Sequence, residues 1–348
     1  MRISVHLDPL GGHRGSAGFG EAVARIAAME RVGLDIVWVS EAYGNDAPTA
    51  MGYLAARTER VQIGSAILPI YSRTPALLAQ TAAGLDEVSG GRAILGLGAS
   101  GPQVVEGWHG VTYDHPVTRT EEVIEVCRQV WRRDRLVHDG LYQIPLPAGT
   151  GTGLGKPLKL ITHPARADIP IYVAALGPRN VEMVAACADG WIPTLFMPDR
   201  ARAVWGDALA AGLAGRQPGL GPLEVVAGGM VAIGEGLEAL RDLARPTLAL
   251  YVGGMGARGH NFYNDVVRRY GFEAEAEAVQ DLYLAGRKDE AAAALPAELV
   301  EATSLVGAPS YVRERIAAYR EAGVTVLDLL PIGAAPARII EQVKSWTL

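Results

Sequence analysis

The chain has 348 residues, too many for one small domain, and suits either two domains or one α/β barrel with insertions. With 49% apolar and 20% charged residues it describes a globular protein with a large core and excludes a disordered one. The formal net charge of -6 is scattered, with no Lys/Arg block to track a phosphate backbone, so nucleic-acid binding is disfavoured. MRISVHLDP lacks the apolar run of a signal peptide and no run of about 18 apolar residues occurs, so no membrane contact and a soluble, cytoplasmic protein are expected.

Ile3, Val5 and Leu7 start a strand ending at Asp8-Pro9, and a link with Gly11, Gly12, Gly15 and Gly18 leads to a helix from about Phe19 to Val32. Gly33 closes that helix, and Ile36 to Val39 form a second strand ending at Ser40-Glu41-Ala42-Tyr43. Asp46 to Thr58 reads as helix and Val61 to Ile70 as the third strand, and Pro75 opens a helix that stops at Gly90-Gly91. Ile94, Leu95 and Leu97 mark a buried fourth strand that runs into Gly96, Gly98 and Gly101.

Those glycines satisfy GxGxxG, but the dinucleotide fingerprint also needs a helix starting inside them and an acid about 20 residues on. Pro102, Gly107, Gly110 and Pro116 delay the next helix to about Val117, and Glu121 and Glu122 fall inside it. A strand-end cofactor loop of another fold is expected.

Thr118 and Glu121 have capping-box spacing ahead of a helix with an apolar face through Val123, Ile124, Cys127 and Trp131. Residues 136–167 break the periodicity, with strand-like pieces at Leu141 to Ile144 and Leu158 to Thr162, and read as an insertion. Ile171 to Ala174 is strand five, followed by a helix from Asn180 to Ala188. Trp191 and Ile192 are strand six, before a helix through Ala201 to Leu213. Val225 to Ile233 is strand seven, residues 237–305 form a second, mostly helical insertion, Pro309 begins a helix, and Val324 to Leu330 is strand eight before a closing helix. Eight strands separated by helices describe a single (β/α)8 TIM barrel. Cys127 and Cys187 lie on apolar helix faces outside any CxxC or Cys/His cluster, so buried thiols are expected and no metal site.

Barrel chemistry gathers at the carboxyl ends of the strands. Those positions hold His6 and Asp8; Glu41 and Tyr43; Ser65, Ala66, Tyr71 and Arg73; Gly98 to Gly101; Ala175 to Pro178; and Phe196. Asp8 and Glu41 are the only rim acids on separate strands, so sugar hydrolysis is not favoured. HExxH and GxSxG are absent, whereas the glycines of strands four and five offer bare amides to a phosphate.

WVSEAYGNDA, IGSAILPIYSRTPALLAQ, GGRAILGLGASGPQVVEGWHG, ADIPIYVAALGPRN and ADGWIP resemble the luciferase-like monooxygenase superfamily. The likeness runs almost end to end and is nearest to its deazaflavin-dependent oxidoreductases, the relatives of methylene-tetrahydromethanopterin reductase. It implies a bacterial luciferase-like barrel that binds coenzyme F420, with FMN as the alternative, and that is often a homodimer. It places a non-proline cis bond at Ser65-Ala66, Gly98, Ala99, Ser100 and Gly101 on the cofactor side of strand four, and Ala175, Leu176, Gly177 and Pro178 at the phosphate. Tyr71 and Arg73 are assigned to the cofactor's polar edge or tail. Lys156 is either a partner of the anionic tail or a solvated lysine. Related dehydrogenases carry a histidine where this chain has Ala42, so Glu41 is left as the candidate acid/base, with a structural carboxylate as the alternative. His6, Tyr43 and His109, with Tyr251, Met255 and Phe262 of the second insertion, are the candidate lining of a substrate pocket, the last three alternatively forming a satellite core. Glu106 and His109 read as loop-ordering or rim groups, with catalysis as the alternative, and Trp108 as core, with a stacking platform as the alternative. The implied activity is hydride exchange between the deazaflavin C5 and a small organic substrate, as a reductase. An FMN monooxygenase and a non-catalytic cofactor-binding barrel are the rivals.

Overall fold

The computed structural model describes residues 1–7 and 15–347, so Asp8, Pro9, Gly11 and Gly12 of the expectations above lie outside the described residues. Eight parallel strands close a ring: β1 (Arg2–His6), β2 (Ile36–Val39), β3 (Gln62–Ser65), β4 (Ala93–Gly98), β5 (Ile171–Ala174), β6 (Gly190–Ile192), β7 (Glu224–Ile233) and β8 (Val326–Pro331). Each pairs with the next, and β8 returns to β1 with Arg2 opposite Val326 and Ser4 opposite Asp328. Burial on both faces explains why strands such as AILGLG read as continuous apolar runs. Pro75, Pro116, Pro178, Pro198 and Pro309 each open an outer helix, where a missing N–H costs nothing.

Side-chain alternation sorts the interior into levels. Arg2 plugs the amino-terminal end through Glu224 (2.9 Å) and Gln62. Above it Ile36, Trp38, Ile94, Tyr172, Val226 and Val326 fill the lumen. The Trp38 and Tyr172 rings lie 5.6 Å apart. They fit because Gly64 and Gly190 have no side chain: a Cβ would stand 2.2 Å from Trp38 and 2.4 Å from Tyr172 respectively. This aromatic floor leaves only the carboxyl ends of the strands open for chemistry.

Several boundaries differ from expectation. The first helix is Gly15–Arg31, four residues earlier than Phe19. Gly101 caps a short helix, Pro102–Gly107, so one does begin at the glycines although the fold is a barrel. The next helix starts at Pro116 with His115 as N-cap, which puts Thr118 inside the first turn and dissolves the capping box. In the first insertion only a small hairpin forms, His138–Asp139 with Gln143–Ile144. Glu122 holds it, accepting the amides of Leu141 (2.9 Å) and Tyr142 (3.0 Å). Leu158 to Thr162 is not a strand, because its largely exposed residues have no apolar face to join. The second insertion ends in an additional strand, Ser304–Gly307, parallel to the outer half of β7. Phe196 is buried, stacked on Trp205 with centroids 5.8 Å apart, and is core rather than rim. Both cysteines are buried, and burial pushes the Cys187 thiol up to about 12. Among the described residues no helix is long and apolar enough to cross a membrane.

Candidate active site

The β3 end is held by Ser65, whose Oγ donates to Gly96 O (2.8 Å) and accepts from Gly96 N (2.9 Å). Ala66 N still donates to Val39 O on β2 at 2.8 Å. Beyond it the strand bulges. Gly64 pairs with Ile94 but Leu68 with Leu97, four steps against three, so one residue is extra. The non-proline cis bond falls in this bulge at Ala66-Ile67, one residue past the expected Ser65-Ala66, because Ser65 and the Ala66 amide are still tied to the neighbouring strands. Gly96 and Gly98 make room for the bulge: a Cβ on Gly96 would lie 1.7 Å from Ser65 O, and one on Gly98 2.8 Å from the Ile67 side chain. Gly98 therefore supports the bulge directly. Ala99 and Ser100 are half-buried at the rim, and Ser100 takes a positive φ of 59, a conformation disfavoured for a non-glycine residue. A Cβ on Gly101 would meet nothing within 4 Å, so space is open there.

At the end of β5 the indole N–H groups of Trp191 and Trp205 donate to the carbonyls of Ala175 and Leu176, both at 2.9 Å. In a trans peptide the N–H points opposite to its carbonyl, so the amides of Leu176 and Gly177 face away from the tryptophan core. Gly177 caps the helix Pro178–Cys187 without any side-chain cap, and a Cβ on it would meet nothing within 4 Å. Leu176, Gly177 and Pro178 line a cleft of about 380 Å³ with Phe262, Asp265, Val266, Arg268 and Arg269. Arg269 is tied to the carbonyls of Leu176 and Val204. Arg268 donates Nε to Asn264 (2.8 Å), and its two Nη groups have no protein acceptor among the described residues. The two arginines lie in an insertion helix, Phe262–Arg269, which is why strand-end reasoning missed them.

Glu41 is clamped. Arg73 Nη1 donates to Oε1 and Nη2 to Oε2 (3.0 Å), and the Ala47 amide, at the start of a helix, donates to Oε2 at 2.9 Å. The side chains are only 7% and 14% exposed, and Arg73 also reaches Asp46 at 2.7 Å. This geometry matches the alternative of a structural carboxylate. It also commits Arg73 to Glu41 and Asp46. Tyr71 is buried, with its hydroxyl donating to Asp114 O at 2.6 Å and its ring against Tyr113, so it props the loop behind the rim.

Tyr43 and Trp108 are each 66% exposed and face one another at 6.4 Å across the loops after β2 and β4, so Trp108 is not core. Glu106 orders its loop by accepting the Tyr113 amide at 3.2 Å, whereas His109 Nε2 is buried with no hydrogen-bond partner among the described residues. Of Tyr251, Met255 and Phe262, the second-insertion residues expected to line a pocket, Phe262 alone lines the β5 cleft. Tyr251 packs edge-on against Tyr263 at 4.8 Å, and Met255 is exposed. Lys156 is exposed in the first insertion.

His6 and Asp328 form the remaining polar feature of the lumen. His6 Nε2 lies 3.2 Å from Asp328 Oδ2 and Nδ1 3.2 Å from Ser40 Oγ, and Ser4 Oγ donates to Asp328 Oδ1 at 2.7 Å. Burial pushes the imidazole pKa down, but the charge and hydrogen bond of Asp328 prevail and raise it.

A model of the luciferase-like monooxygenase domain matches residues 2–326. The chain belongs to that family. It is 44% identical over 306 residues to a Mycobacterium tuberculosis protein assigned as a coenzyme F420-dependent oxidoreductase, a match spanning 87% of this chain and 88% of that one. It is 28% identical over 327 residues to 5,10-methylenetetrahydromethanopterin reductase of Archaeoglobus fulgidus, spanning 91% and 92%. Among solved structures, the coenzyme F420-dependent tetrahydromethanopterin reductase of Methanopyrus kandleri matches with a TM-score of 0.75 at 24% identity, over 98% of this chain and 96% of that one. That likeness is one of fold, and it agrees with the luciferase-like TIM barrel expected from the sequence.

Proposed function

We propose that the chain is a coenzyme F420-dependent oxidoreductase acting as a reductase of a small organic acceptor. The observation that carries the reading is the β5 cleft, where outward amides, an uncapped helix start and the Arg268 guanidinium converge on an open space that Asp265 also borders. Its donor set suits the phosphate and anionic tail of a deazaflavin cofactor. The 44% identity to a protein assigned to F420 favours the deazaflavin over FMN.

In this reading the Ala66-Ile67 bulge, backed by Gly96 and Gly98, supports one face of the ring. Ala99, Ser100 and Gly101 border it from β4, and Leu176, Gly177 and Pro178 hold the phosphate. When bound, the cofactor supplies a hydride from C5. The protein holds the acceptor against that carbon, excludes water and moves one proton. The aromatic floor of Trp38 and Tyr172 blocks deeper entry, while Tyr43 and Trp108 offer flat apolar surfaces for an acceptor at the mouth. Glu41 and Arg73 fix the β2 loop that carries Tyr43.

Anaerobic oxidation of chemically reduced F420, screened against enone, imine and quinone acceptors, tests the assignment. Acceptor-dependent oxidation in at least one class is expected. Turnover only with reduced FMN and oxygen would overturn it. Size-exclusion chromatography with light scattering tests the homodimer that the resemblance implies.

A further inference from the structure

We propose that His6, held by Asp328 and hydrogen-bonded to Ser40, carries the proton that accompanies hydride transfer, with the Ser40 hydroxyl as its outlet to the substrate. The proposal rests on the oxidoreductase reading above and adds the proton path to it.

Alternation turns Ser4, His6 and Asp328 into the lumen: Ser4 pairs with Ile36 and His6 with Trp38, both inward, and Asp328 stands opposite Ser4. Ser4 and Asp328 thus stand among the apolar residues of the floor, and His6, the last residue of β1, stands nearest the carboxyl mouth. An acid and a histidine there cost free energy unless each is paired. Asp328 accepts from Ser4 through one oxygen and faces His6 Nε2 through the other, so the ring nitrogen left for exchange is Nδ1, which meets Ser40. Ser4 is fully buried, the His6 side chain is 25% exposed and Ser40 is exposed, so the row runs outward from β8 through β1 to the end of β2. Gly228 on β7 lies opposite Asp328, where a Cβ would come within 2.0 Å of the Asp328 carbonyl oxygen. Among the described residues, Asp328 is the one charged group facing His6. Ser4 and Ser40 are neutral, and the floor contributes Trp38.

Hydride addition to the carbon of a C=O, C=N or conjugated C=C bond leaves an electron pair on oxygen, nitrogen or the α-carbon. That atom takes the Ser40 proton as Ser40 takes one from His6 Nδ1, leaving a neutral imidazole whose Nε2–H stays on Asp328. Solvent at the mouth reloads Nδ1. The acceptor is reduced by two electrons, the hydride donor is oxidised by two, and one proton is consumed. For a dehydrogenation the same path runs backwards. Ala42 has no titratable group, so this path serves in place of a histidine on the β2 loop.

The first measurement needs no cofactor. A proton–nitrogen NMR titration of the imidazoles in the wild-type protein should show His6 titrating above the ordinary value of about 6.5, and Asp328→Asn should lower its midpoint. The second uses an acceptor found in the screen. His6→Gln should lower kcat about 10²- to 10⁴-fold and abolish the alkaline limb of the pH profile, with F420 affinity within about threefold of wild type. Asp328→Asn should move that limb to lower pH. Ser40→Ala, at an exposed position, should lower kcat with His6 still titrating above the ordinary value. An unshifted His6 midpoint insensitive to Asp328→Asn, or a His6→Gln enzyme with the wild-type pH profile, would overturn the proposal. Failure of the wild type to bind F420 would instead overturn the reading beneath it, and the cofactor-free titration separates the two.

Discussion

Removing Arg73 should cost more stability than removing the charge of Glu41, and the two losses should not add. The arginine holds both carboxylate oxygens of a side chain that is 7% exposed. Arg73→Met leaves that carboxylate with the Ala47 amide alone among the donors described, a loss of about 3 to 5 kcal/mol for one partner of a buried pair. Glu41→Gln is milder, about 1 to 3 kcal/mol, because Arg73 keeps Asp46 at 2.7 Å. The double variant should recover about 1 to 3 kcal/mol relative to the sum of the singles. Urea unfolding followed by tryptophan fluorescence reads all four proteins. Additivity within about 0.5 kcal/mol would refute the clamp. The same variants separate a structural Glu41 from a proton donor: the clamp predicts that Glu41→Gln keeps the shape of the pH–rate profile, whereas loss of a titrating limb would return the carboxylate to the chemistry.

Gly96→Ala should push the β3 bulge out of place, since the new Cβ would meet the Ser65 carbonyl at 1.7 Å and a backbone atom cannot swing aside; a loss of about 1 to 3 kcal/mol or more is expected, with weakened F420 binding by fluorescence. Glu30 is buried and accepts the amides of Glu59 (2.9 Å), Arg60 (2.6 Å) and Val61 (2.8 Å). Burial alone would raise its pKa, but the Val61, Arg60 and Glu59 bonds and the Arg60 charge hold it below 4.5. Its contribution is therefore complete above 4.5 and lost as pH falls through the folded-state value. Glu30→Gln should cost about 1 to 3 kcal/mol near neutral pH and flatten the acid limb of stability; an unchanged limb would contradict the assignment. Arg268→Gln should weaken F420 binding about tenfold and reduce its salt dependence, with at most a small fall in melting temperature from the lost Asn264 hydrogen bond, as calorimetry and binding titrations would show.

The barrel was readable because a parallel strand buried on both faces is a continuous apolar run, and because proline marks the helix starts; Ile36–Val39 emerges with the bounds expected of it. What sequence cannot carry is register between segments far apart in the chain. The cis bond was misplaced by one residue for that reason: the extra residue in β3 exists only relative to β4. Glu41 and Arg73 both stood among the rim residues, yet their pairing spans 32 positions and left no local trace. Asp328 does leave a signal in the sequence. An acid inside the apolar strand VLDLLP must find a partner, and matching alternation on β1 puts Ser4 and His6 beside it. Trp108 read as core because a tryptophan usually is, but the short helix before it, Pro102–Gly107, carries the chain outward.

Equilibrium titration of the purified wild-type protein with F420 and, separately, with FMN, each followed by cofactor fluorescence, tests the central claim most directly. Saturable micromolar quenching by F420, weakened by Arg268→Gln and by salt, is the predicted result. Tight FMN binding with no response to F420 would contradict the account.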